Sequence, residues 1–190
     1  MKMNSTTETN KTIAILGATN SVGSAIARRL AKSRYRLMLM SDDVRELHQL
    51  HQEISAHRDN TSEIMYIDCA KEASWEADII INATPLEKDE AVAIKIRDVA
   101  VGKTVISVST WGTDSSASER LQALLPYSSV INMSHITLNA GSADERVNVF
   151  LACKDSDALV EAAQVLSSAG FDPVVVGDPS INKTQNVQSV

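Results

Sequence analysis

Chemistry is sparse in this sequence, and most of it sits in one turn. Gly17-Ala18-Thr19-Asn20-Ser21-Val22-Gly23 joins a short apolar run, Thr12 to Leu16, to a segment where Val22, Ile26 and Leu30 recur at helical spacing. Arg28, Arg29 and Lys32 take the opposite face of that helix. A strand that turns sharply into a helix leaves first-turn N–H groups unpaired and a partial positive charge at the helix start. Together these attract a diphosphate. Glycine lets the backbone approach such a ligand with no Cβ in between. Asn20 stands where a third glycine often sits. Asn is one of the few other residues that tolerate the left-handed region, so the turn is expected to form with the Asn20 amide near the phosphates. Residues 17–23 are therefore the candidate diphosphate cradle of a dinucleotide. The competing reading is a plain strand–helix turn of an α/β protein.

A dinucleotide would reach three other places. The end of the second strand meets the adenosine ribose, and Ser41 and Asp42 lie there, Asp42 nineteen residues beyond Gly23. A carboxylate at that point binds the ribose hydroxyls and repels a 2′-phosphate, which favours NAD. Arg45, one turn on, could pair with that phosphate and favours NADP. Asp42 or Asp43 could equally cap the next helix, since Asp43-x-x-Glu46 is a capping-box pattern. After the fourth strand, Ala83-Thr84-Pro85 should border the nicotinamide side. Thr84 doubles as an expected N-cap, with Pro85 at the first helical position and Glu87 closing a capping box. Ser109 ends the fifth strand. His48 and His51 could share a helix face with His57 beyond them, but no further metal ligands accompany them, so a solvated face is expected and no metal is assigned.

These residues must be held by a sheet. Apolar, β-branched runs are expected as strands at 35–40, 63–68, 77–82, 103–109, 130–133, 147–152 and 172–176, after the first at 12–16. Helices are expected between them: 21–32, 44–57, 71–75, 85–100, one capped by Ser116-x-x-Glu119 and stopped by Pro126, and 157–168 ended by Gly170. About eight strands alternating with helices make a doubly wound, mostly parallel α/β sheet, the NAD(P)-binding Rossmann fold. Strand order 3-2-1-4-5-6, with two strands beyond, is expected. Residues 1–11 are polar and read as a loose leader, 12–177 as one domain, and 178–190 as a polar tail.

Composition narrows the function. The 190 residues carry a net charge of −6, which argues against a general binder of nucleic acid or anionic membranes. No apolar run approaches the roughly 20 residues of a membrane span. Cys69 and Cys153 fit no metal spacing and read as reduced, mostly buried thiols of a cytoplasmic protein.

In the order of its motifs the chain resembles the deazaflavin-dependent (coenzyme F-420) NADP oxidoreductases and their dinucleotide-binding relatives. Those proteins have Gly-Gly-Thr-Gly-x-Leu-Gly after strand one, where this chain has Gly17 to Gly23. They have a small apolar turn ending in Pro after strand four, as in Ala83-Thr84-Pro85. They have a histidine after strand six, to which Ser134-His135-Ile136 is similar. The ending around Gly170 to Pro179 is also similar. The resemblance spans roughly residues 12–180. It implies NADP or NAD as cofactor, a deazaflavin or flavin as second substrate, and a homodimer. It also implies a ring pocket shaped by Thr84, Pro85, Ser109 and His135, with His135 the candidate to polarise the second substrate. Three departures stand out. Asn20 replaces a glycine, Asp42 replaces the arginine that follows Ser in the family, and the chain lacks the family's C-terminal helices.

Hydride transfer between two rings needs alignment and exclusion of water more than acid–base machinery. The sequence therefore reads as an NAD(P)-dependent oxidoreductase acting on a small molecule. The rival reading is a non-catalytic NAD(P)-binding redox sensor, in which the nicotinamide face would be closed or polar. A classical short-chain dehydrogenase is not expected, because Tyr35, Tyr66 and Tyr127 all lack a Lys four residues later.

Overall fold

The computed structural model describes residues 11–56, 63–110, 116–135 and 146–177. The expected leader (save Lys11) and tail, His57, Trp111-Gly112 and Ile136 lie outside them. The elements in chain order are β1 (Thr12–Leu16), α1 (Ser21–Leu30), β2 (Arg36–Met40), α2 (Val44–Ala56), β3 (Ile64–Ile67), α3 (Ala70–Glu76) and β4 (Ile79–Asn82). They continue with α4 (Leu86–Ile96), β5 (Thr104–Thr110), α5 (Ser116–Leu124), β6 (Ser129–His135), β7 (Val147–Ala152), α6 (Ser156–Ser168) and β8 (Phe171–Gly177).

The strands form one eight-stranded sheet in the order β3-β2-β1-β4-β5-β6-β7-β8. All neighbours are parallel except β6 and β7. This is the doubly wound Rossmann-like arrangement, and its core shows why the strands read as continuous apolar runs. Alternate residues of each strand point to opposite faces, and a helix layer covers each face. Ile13, Ile15, Leu37, Leu39, Ile79 and Ile81 pack under α1, α2 and α6. Ala14, Leu16, Met38, Met40 and Ile80 pack under α3, α4 and α5. The chain changes face between the crossovers flanking β1 and β4, which opens a crevice at the C-terminal ends of those strands.

Two sequence expectations fail here. Arg29 is not on the solvent face: it is 5% exposed. The C-terminal end of α1 abuts the turn into β8. There the guanidinium lies 5.1 Å over the Phe171 ring and donates to the Gly170 carbonyl at 3.3 Å. Cation–π contact and a carbonyl partner make the burial tolerable. Cys69 is exposed rather than buried, because it sits at the N-cap of α3, while Cys153 is buried. Among the described residues no helix is long and apolar enough to cross a membrane, and no cluster of potential metal ligands forms.

Candidate functional site

Gly17 has φ +77°, and a Cβ there would stand 2.9 Å from the Ala83 carbonyl oxygen and the Thr84 nitrogen. Gly23 is tighter still: its Cβ would fall 2.1 Å from the Gly17 carbonyl oxygen. The two glycines thus let the β1–α1 turn close on itself and against the β4–α4 turn. Asn20 does not enter the left-handed region as expected. Its backbone is extended, at φ −69° and ψ 167°, and it is the N-cap of α1. Its Oδ1 accepts from the Gly23 N–H at 2.7 Å, and its Nδ2 donates to the Ala83 carbonyl. Capping is a local interaction strong enough to set this backbone. Asn20 therefore ties the two turns together.

Two cavities flank this tie and share Asn20, Thr84 and Pro85. One, of about 300 Å³, lies toward β5 and β6 and is lined by Ser21, Val22, Ala83, Leu86, Asp89, Ser109 and Asn132 among others. The other, of about 470 Å³, lies toward the end of β2 and includes Gly17, Thr19, Ser41, Asp42, Lys88 and Lys95. Ala18 and Gly23 line neither; both are buried beneath the turn, with the Ala18 N–H given to the Met40 carbonyl at 2.9 Å. The first-turn N–H groups of α1 face no intrahelical acceptor, as in any helix. Because Gly17 adds no side chain, the β1–α1 turn packs directly against the β4–α4 turn beside that helix start.

At the β2 end, Ser41 is buried, and its hydroxyl lies 2.5 Å from that of Thr19. Asp43 caps α2 through Oδ1, which accepts from the Glu46 N–H at 2.9 Å. Asp42 instead pairs with Lys88, with Nζ 2.7 Å from Oδ2. The Lys88 hydrogen bond, and the charge of Lys95 beyond it, hold the Asp42 carboxyl below its ordinary range. Arg45, expected to face a 2′-phosphate, is exposed on α2 and lines neither cavity.

At the β4 end, Thr84 is not the N-cap of α4. Pro85 takes that position, without a side-chain bond to the helix. The Thr84 hydroxyl turns inward, donating to Asn82 Oδ1 at 2.7 Å and lying 3.0 Å from Asp89 Oδ1. Asn82 Nδ2 also donates to Asp89 Oδ1 at 3.0 Å. The Thr84 hydroxyl is thus engaged with the Asn82 and Asp89 oxygens instead of accepting from the first-turn N–H groups of α4. Burial is the main cause that raises the Asp89 carboxyl above its ordinary range, against the two hydrogen bonds.

Asn132, Asp89, Lys88 and Lys95 were not singled out in the sequence. For Asn132 a signal existed. Asn82, Ser107 and Asn132 stand on one rung across β4, β5 and β6, each closing a run of apolar residues. Ser109 donates to Asn132 Oδ1 at 3.0 Å and lies 3.3 Å from Ser134 Oγ. The His135 backbone ends β6, in register with Thr110 and Val149.

A family model described as NADP oxidoreductase, coenzyme F420-dependent, matches residues 12–110, just over half of the chain. The chain belongs to this family. It is, in that general sense, an NAD(P) oxidoreductase. Among solved structures, it is similar to a candidate F420-dependent NADP-reductase from Arthrobacter sp. FB24. The identity is 20%, the match covers 91% of this chain and 87% of that one, and the TM-score is 0.70. It is similar to a hypothetical protein from Sinorhizobium meliloti, at 22% identity, 90% and 86% coverage and TM-score 0.70. The 3-hydroxyisobutyrate dehydrogenase of Mycobacterium tuberculosis also matches, at 18% identity and TM-score 0.75; the match covers 91% of this chain but 58% of that one. At such identities the likeness is one of fold. No sequence match is found among curated proteins.

Proposed function

We propose that the protein binds NADP or NAD across this crevice and exchanges a hydride with a deazaflavin, a flavin or another small acceptor. The observation that carries the reading is the meeting of two cavities at the N-terminus of α1. One is suited to an adenosine half, the other to a nicotinamide half, and the two share Asn20, Thr84 and Pro85. The smaller cavity is lined mainly by apolar groups, which favours an enzyme over a sensor with a closed or polar face, and its volume suits a single flat ring and its ribose.

When bound, the nicotinamide supplies or takes the hydride. The chain's own residues do the positioning. Val22, Ala83, Pro85, Leu86 and Val108 form apolar walls that keep water from the ring. Asn132, with Oδ1 already accepting from Ser109, has amide hydrogens to offer a carboxamide carbonyl. The N–H groups of Ser21 and Val22 open the helix toward the diphosphate.

The test is a calorimetric titration of NADP+ and NAD+ into the wild type and Ser21→Asp. An acidic residue at the first position of α1 suits the helix dipole, so the fold should keep its melting temperature. The same charge repels a diphosphate, and dinucleotide binding should weaken on the order of tenfold or more. Unchanged binding in that variant, or none in the wild type, overturns the proposal. Oxidation of NADPH on addition of a deazaflavin or FMN then identifies the acceptor.

A further inference from the structure

The dinucleotide reading leaves open how this chain would treat the 2′-phosphate that separates NADP from NAD. The arginine that follows Ser in related sequences is Asp42 here, and Arg45 lines neither cavity. With Arg45 away from the cavity, Asp42 alone would make the site hostile to NADP.

The structure places other charges there. Lys88, in the first turn of α4, and Lys95, two turns further along the same helix face, both line the cavity at the end of β2, opposite Ser41 and Asp42. Lys88 reaches across 46 positions of sequence to hold Asp42 at 2.7 Å. Asp42 and Lys88 are 68% and 54% exposed at their side chains, so the pair is a loose, solvated one. Such a pair is easily exchanged. The other acid nearby, Asp43, spends its carboxylate on the N-terminus of α2. The cavity is therefore lined by two lysines and two carboxylates. Lys88 engages one carboxylate, the N-terminus of α2 engages the other, and Lys95 forms an ion pair with neither.

We propose that Lys88 and Lys95 read the 2′-phosphate of NADP, with Asp42 holding Lys88 at the cavity mouth until the phosphate takes it over. This rests on the crevice being a dinucleotide site. A phosphate monoester carries about −1.5 to −2 charge at neutral pH and three acceptor oxygens, so it outcompetes a single exposed carboxylate for an ammonium. The Ser41 hydroxyl, steadied by Thr19, adds a donor on the β2 side. Specificity would thus be written on the helix after β4 instead of the turn after β2, and NAD, with only hydroxyls to offer, would leave the Asp42–Lys88 pair intact.

The test is binding of NADP+ and NAD+ by calorimetry to the wild type, Lys88→Ala, Lys95→Ala, the double variant and Asp42→Asn. Both lysines are exposed, so the variants should fold, and circular dichroism checks this. Wild type should prefer NADP+. Each lysine variant should lose affinity for NADP+ by roughly five- to tenfold while affinity for NAD+ stays within about twofold, and the salt dependence of NADP+ binding should flatten. Asp42→Asn should tighten NADP+. If both dinucleotides bind but the lysine variants change neither, or change both equally, the inference falls while the dinucleotide reading stands. A wild-type preference for NAD+ would make Asp42 the reader and also sink the inference. If neither dinucleotide binds the wild type, the underlying reading fails and takes this with it.

Discussion

Asp89 shows how one side chain can serve a site at a cost to the fold. It accepts from the Asn82 amide, with the Thr84 hydroxyl 3.0 Å away, in a half-buried place at the edge of the smaller cavity, and burial raises its carboxyl above the ordinary 3.8. The folded protein therefore holds that proton more tightly than the unfolded chain. The stability tied to the proton is complete below about 3.8 and is lost as pH rises from there toward the folded value. Asp89→Asn keeps an oxygen for the Asn82 amide and removes the charge. The melting temperature of this variant relative to wild type should increase as pH rises through and above 3.8. Calorimetric melts from pH 3 to 7 check this; a flat difference would place the Asp89 charge in solvent. Asn20 carries the opposite lesson. Its identity suggested a glycine substitute, yet its side chain settles as a cap and a strut to Ala83.

Among the elements, α6 depends on a single residue at its start. Asp155 Oδ1 accepts from the Asp157 and Ala158 N–H groups at 3.0 and 3.2 Å, and Oδ2 accepts from Ser129 Oγ at 2.5 Å. One side chain thus caps α6 and fastens it to the first residue of β6. The Ser129 bond is the main cause that lowers the carboxyl, with the helix N–H groups behind it. Asp155→Ala should cost about 1 kcal/mol at neutral pH, measured by urea denaturation. A lowered folded value means this contribution is present above 3.8 and lost as pH falls through the folded value, so the penalty of the variant should shrink in acid. Arg29 fixes the other end of the same region, joining α1 to the turn between α6 and β8.

For the whole molecule, the sheet order places the C-terminal ends of five strands, β2, β1, β4, β5 and β6, along one crevice. A ligand lying across it would contact elements from residue 17 to residue 132 and bind only the folded chain. NADP+ at about 100 times its dissociation constant should then stabilise the protein by about 2.7 kcal/mol, seen as a rise in melting temperature that grows with the logarithm of ligand concentration. Absence of any rise, with binding confirmed separately, would mean the ligand sits on one element alone.

What could be read along the chain was what short stretches decide for themselves. Ile79 to Asn82 is a buried parallel strand on composition alone, and Val22, Ile26 and Leu30 mark a helix by period. Alternation of such segments leaves few ways to stack them, so the sheet order followed. The Gly17 bend was legible too, because only a residue without Cβ suits that backbone. The partners of Asp42, Thr84 and Arg29 were not. Lys88 and Phe171 meet Asp42 and Arg29 through packing of distant segments, and Asp89, five residues on from Thr84, meets it through the phase of the first turns of α4, contacts selected from many that local sequence permits equally. Local backbone preference set the scaffold and the bend. Which charges face the crevice was decided only when the helices closed over the sheet, because a pairing such as Asp42–Lys88 depends on the distance between segments far apart in the chain.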